Sequence, residues 1–128
     1  MGSMLEFGPL SGEVTLRLYV SGDTLLVDDL REIPQRYRDI DAAVLHLGGT
    51  RLPGGLMVTM DARQGADCLE LIDPGMAVPV HFDDYALFTS PLSDFRAEVT
   101  RRGLAGWVTF VDRGDTVTLE RRTAAAGR

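Results

Sequence analysis

Two short runs constrain this chain more than anything else in it: "AAVLHL" at 42–47 and "MAVPV" at 76–80. Both are apolar at both parities, so each reads as a strand covered on two sides, not as a half-solvated one. A glycine-rich loop, "GGTRLPGG" (48–55), and one helical stripe separate them. Parallel neighbours need a crossover of about a dozen residues or more, most often a helix. The two runs therefore specify a strand–helix–strand unit at the heart of an α/β domain.

The flanking sequence extends the pattern. In "EVTLRLYV" (13–20), Val14, Leu16, Leu18 and Val20 share one face and Thr15, Arg17 and Tyr19 the other, which predicts a half-buried strand. Residues 28–37 predict a short helix that starts near Asp28 or Asp29 and is weakened by Pro34. Asp61 opens a helix whose stripe is Ala62, Ala66, Leu69 and Ile72, and Pro74-Gly75 stops it. Pro91 opens a third helix with Leu92, Phe95 and Val99 as its apolar face and Gly103 as its stop. Two further strands are expected at 107–111 and 116–119, joined by the turn "DRGD". The result is one α/β domain over 5–120 with a mainly parallel sheet and about three helices on one face. Residues 1–4 read as an expression scar, and 121–128 as a frayed tail with nothing to pack.

Composition narrows the function. The 128 residues carry a net charge of −6, which argues against nucleic-acid or anionic-membrane binding, since both need basic patches. No apolar run approaches a membrane span of about 18 residues. The one cysteine, Cys68, leaves no internal disulfide and fits a reducing cytoplasm; on the flank of a helical stripe it reads as a small buried hydrophobe. The glycine-rich loop lacks the Gly-Lys-Ser/Thr ending of a phosphate loop, and there is no nucleophile elbow or Cys-x-x-Cys.

Parallel strands place their carboxyl ends on one rim, where ligand sites of open α/β sheets form. Asp23 follows the first strand, His46 lies near the end of the second, and His81 ends the third, with Asp83, Asp84 and Tyr85 beside it. A carboxylate with imidazoles is a ligand set for zinc, manganese or iron. Each residue has a plainer role open to it. Asp23 suits the turn "SGDT", His46 a hydrogen-bonded place in a buried strand, and Asp83 and Asp84 the cap of a following turn. His81 terminates a strand instead of interrupting one, which leaves both roles open.

The segments "YVSGDT" (19–24), "AVLHLGGT" (43–50), "VTMDARQGADCLELIDP" (58–74) and "VPVHFDDY" (78–85), in this order, resemble the C-terminal half of a metallo-β-lactamase-fold hydrolase. They are most similar to its lactonase-like and phosphodiesterase-like branches. The resemblance runs from about residue 13 to 119. It implies half of a four-layer αββα sandwich and metal-dependent hydrolysis of an ester, lactone or phosphodiester bond. It also implies metal-binding roles for Asp23, in the Gly-Asp-Thr turn, and for His81, after the short apolar strand. His46 matches no ligand of the family and would line the rim as a third donor. Asp84 or Tyr85 would contact substrate.

The family's His-x-His-x-Asp-His signature has no counterpart here, because the chain holds only two histidines and neither precedes Asp23. A catalytic zinc usually takes three protein ligands. The expectation is a half-site that binds metal weakly and is inactive or weakly active alone. Its partner would be a complementary N-terminal half, or a second copy packed on the helix-free face in a homodimer of about 1,600 Å² total interface. The two alternatives are a non-catalytic, self-assembling half-domain and a metal-free α/β binding module.

Overall fold

A computed structural model describes residues 1–81 and 89–123. Strands β1 (Ser3–Phe7), β2 (Leu16–Val20), β3 (Ala42–His46) and β4 (Met76–Val80) form one sheet in that spatial order. β2, β3 and β4 run parallel, and β1 pairs antiparallel with β2. Helices α1 (Glu32–Arg36), α2 (Ala62–Ile72) and α3 (Leu92–Arg101) connect and follow the parallel strands. A 3₁₀ turn at Asp28–Arg31 leads into α1, so the expected 28–37 helix is split in two.

Register decides which residues see the helices. Met4, Tyr19, Ala43 and Ala77 form one cross-strand row; Leu5, Leu18, Ala42 and Met76 form the next, on the opposite face. Tyr19, Ala43, Leu45 and Ala77 enter a core with Ala66, Cys68, Leu69 and Ile72 of α2 and Phe95 and Val99 of α3. Ile33 and Tyr37 from the α1 region pack against the same core. Each buried Leu, Ile or Phe contributes on the order of 1.5–3 kcal/mol. All three helices thus serve one face, as the crossover argument requires. The other face carries Leu5, Leu18, Val20, Val44, Met76 and Val78, none of which belongs to that core.

The crossover helix is well specified. The Asp61 carboxylate accepts from Gln64 N at 2.9 Å, capping the start of α2. Asp73 ends it in the left-handed region at φ 49°, and Pro74 follows. Cys68 is fully buried on the inner side of α2.

The structure departs from the expected element bounds at three places. β1 takes in Ser3 and Met4, and Met4 packs beside Tyr19. The runs at 107–111 and 116–119 are not strands: only Val108 bridges Ala77, with Thr109 N donating to Ala77 O at 2.8 Å. In the first run the apolar alternation comes from packing against α3, where Phe110 meets Phe95 edge-on at 6.4 Å and lies under Arg96. The chain is also not frayed from residue 121. Arg122 N donates to Asp41 at 2.6 Å, and its guanidinium grips the Asp73 carbonyl and carboxylate. No described helix is long and apolar enough to cross a membrane.

Candidate metal centre

The three parallel strands end at Val20, His46 and Val80, and each hands its next residues to one rim. Ser21, the first residue beyond β2, is fully buried. Its N–H donates to Val44 O at 3.0 Å, and its Oγ accepts from His46 N at 2.9 Å while donating to Gly22 O at 3.0 Å. This serine continues the β2–β3 ladder through a side chain. Gly22 then turns at φ 61°, where a Cβ would strike the Met1 carbonyl, and Asp23 is carried to the strand tips.

On the far side, Leu47 N donates to Val80 O at 2.9 Å, extending the β3–β4 pairing to the edge of the site. His81 adopts φ 61°, a left-handed conformation that histidine enters more readily than most residues. The turn leaves Nδ1 3.4 Å from Leu47 O and 3.7 Å from Asp23 Oδ1. His46 stands beside them, its ring centroid 5.9 Å from that of His81 and its Nδ1 3.4 Å from Ser21 Oγ.

The two glycines of "HLGG" hold this rim. Gly48 (φ 109°) presents its carbonyl to the N–H groups of Thr89 and Ser90, both at 3.0 Å. At Gly49 (φ 58°) a Cβ would press on Ser90, and the Gly49 carbonyl accepts from Thr89 Oγ1 at 2.7 Å. The chain leaving β3 is therefore tied to the segment leading into α3.

Burial pushes the His46 pKa down, Asp23 pulls it back up, and His81 lowers it. His46 is accordingly a neutral imidazole at pH 7 with a serine hydroxyl at its Nδ1.

The donor set can be tested against a metal. Two ligands about 2.1 Å from a tetrahedral ion lie about 3.4 Å apart. Asp23 Oδ1 and His81 Nδ1, at 3.7 Å, are close to that spacing, so the pair fits as two ligands of one ion. Among the described residues no group of three His, Cys, Asp or Glu side chains is placed to hold a metal, so His46 does not complete a three-ligand set there. Asp83, Asp84 and Tyr85 lie outside the described residues. Sequence reasoning missed Ser21; its one signal was a small polar residue placed where an apolar run reaches a glycine turn.

No family model matches the chain. It is 34% identical over 118 residues to a "UPF0173 metal-dependent hydrolase" of Deinococcus radiodurans, a match spanning 92% of this chain and 44% of that protein. Among solved structures, it superposes on a metallo hydrolase from Ignicoccus hospitalis with TM-score 0.67 and 30% identity, over 85% of this chain and 42% of the other. The metallo-β-lactamase fold protein YhfI of Bacillus subtilis matches at TM-score 0.51 and 11% identity, over 86% of this chain and 46% of the other, a likeness of fold alone. The chain thus spans less than half the length of the relatives it matches.

Proposed function

We propose that the chain belongs to the metallo-β-lactamase-fold superfamily, forms the C-terminal half of a metal-dependent hydrolase and contributes Asp23 and His81 to its metal site. The observation that carries this reading is their 3.7 Å approach at the carboxyl rim, from loops that follow different strands. Asp23 supplies an anionic oxygen. His81 supplies the ring nitrogen Nδ1, which stands 3.7 Å from that oxygen. A zinc, manganese or iron ion bound there would polarise an ester, lactone or phosphodiester substrate and activate water. The remaining ligands would come from a complementary N-terminal half, so the chain alone binds metal weakly and turns over little or nothing. The single buried Cys68 suits a reducing cytoplasm.

We further propose that the helix-free face packs on a second sheet: that of the N-terminal half where present, a second copy of this chain where not. The face is apolar in every cross-strand row from Leu5 to Met76 and from Val20 to Val78.

The test is equilibrium dialysis of the chain against zinc and manganese, beside a screen of phosphodiester and lactone substrates. Metal binding that the Asp23→Ala, His81→Ala variant loses supports the reading. Metal-independent melting with no uptake would favour a metal-free binding module.

A further inference from the structure

At the opposite, amino-terminal rim lies a cleft of about 540 Å³ that the hydrolase reading does not use. Four of the chain's 13 cationic residues line it, Arg17, Arg38, Arg121 and Arg122, although the chain as a whole carries −6. All 13 are arginines, whose planar fork binds oxyanions through paired N–H groups.

The cleft is built around Asp41, which is only 6% exposed. One of its carboxylate oxygens accepts from Arg17 N at 2.7 Å, at the start of β2. The other accepts from Arg122 N at 2.6 Å, in the C-terminal segment. One buried carboxylate thereby ties the C-terminal segment at Arg122 to the amino ends of β2 and β3. Gly75 leaves room for this, since a Cβ there would meet the Asp41 carbonyl at 2.8 Å and the Arg122 Cβ at 3.1 Å.

Two of the four guanidinium groups are already engaged, Arg17 with Glu6 at 2.9 Å and Arg122 with Asp73 at 3.2 Å. The Asp39 carboxylate, 3.7 Å from Arg17, faces the same space. Arg38 and Arg121 take part in no ion pair among the described residues, yet both face this cleft. Arg38 is set by the turn before β3, and Arg121 by the Asp41 tie one residue away. Two uncommitted forks from different chain segments line one cavity in the size range of ligand sites, about 300–1,000 Å³, and suit an anion with several oxygens.

We propose that this cleft binds a small phosphate-bearing molecule, with Arg38 and Arg121 as its clamp and Arg17 as a flanking cation. The site is separate from Asp23 and His81, and its occupancy does not require metal.

The test is calorimetric titration of the chelator-treated chain with pyrophosphate and with inorganic phosphate, at constant ionic strength set by chloride. Saturable binding is expected for pyrophosphate, weakened at least ten-fold in the Arg38→Gln, Arg121→Gln variant and unchanged in an Arg36→Gln control on the exposed side of α1. Both variants should keep the wild-type circular dichroism spectrum, since neither Arg38 nor Arg121 is buried. Non-saturable heats, or saturable binding that the double variant retains, would overturn the proposal.

Discussion

Asp23 and His81, 58 positions apart in the chain, face each other at 3.7 Å because the βα crossover places the ends of β2 and β4 on one rim with β3 between them. Neither side chain holds the core: Asp23 is 61% exposed and His81 26%. The Asp23→Ala, His81→Ala variant should therefore unfold within about 1 kcal/mol of wild type. Its zinc uptake should fall to background. Urea melts and equilibrium dialysis read the two effects separately, and a large loss of stability would mean that the pair is structural.

Metal held by the wild-type chain should be weak. Two ligands cannot match a complete set, and outer-shell support alone is worth 10–100-fold. Brief dialysis against a modest chelator should strip it. Stoichiometric zinc surviving extended dialysis would contradict this.

Ser21 is expected to matter more to stability than either ligand. Ser21→Ala removes the fully buried hydroxyl that accepts the His46 N–H. Leaving that donor unpaired costs about 1–3 kcal/mol, visible as a lower urea midpoint at unchanged slope. Ser21→Thr, which keeps the hydroxyl, should recover part of the loss.

His46 makes stability depend on pH. Burial lowers its folded-state pKa below the ordinary histidine value of 6.5, so the unfolded chain binds the proton more readily. The contribution is fully present above that value and is lost as pH falls below it. Asp23 opposes the shift, so Asp23→Asn should lower the His46 pKa further, while His81→Gln should raise it. Imidazole titration by NMR on metal-free protein checks both signs.

What the sequence made legible follows from how each residue earns its place. Strands apolar at both parities, and the capped stripe of α2, could be read because burial alone dictates those patterns. So could the meeting of Asp23 and His81, which requires only parallel strands. Phe110 and Val108 alternate as a strand would, but the alternation reflects packing on Phe95 and one bridge to Ala77. Arg122 looked solvated, because nothing local announces that a distant Asp41 will accept its backbone N–H. Ser21 was hidden for the same reason: its partner lies 25 residues away.

The helix-free face supplies the last prediction. Four five-residue strands span roughly 19 by 17 Å at about 4.8 Å between strands and 3.3 Å per residue, near 320 Å² of plane before side-chain relief is counted. A standard interface buries about 800 Å² per partner. Leu18, Ala42 and Val78 on this face are already 9%, 0% and 6% exposed, so its free part is smaller still: half-buried Val20, Val44 and Met76 with Leu5 and Phe7, which are 43% and 49% exposed on its β1 margin, enough for a weak dimer and not for a tight one. Light scattering on a sizing column should show mass rising from 14.0 kDa toward twice that as loading rises through the micromolar range. Val44→Glu places a charge in the middle of the face, where pairing would strand it without water, and should hold the chain monomeric at every loading. An unchanged far-UV spectrum would show that the substitution acts on association and not on folding. A wild-type chain that stays at 14.0 kDa at high loading and binds no dye for exposed apolar surface would mean that two such faces do not pair.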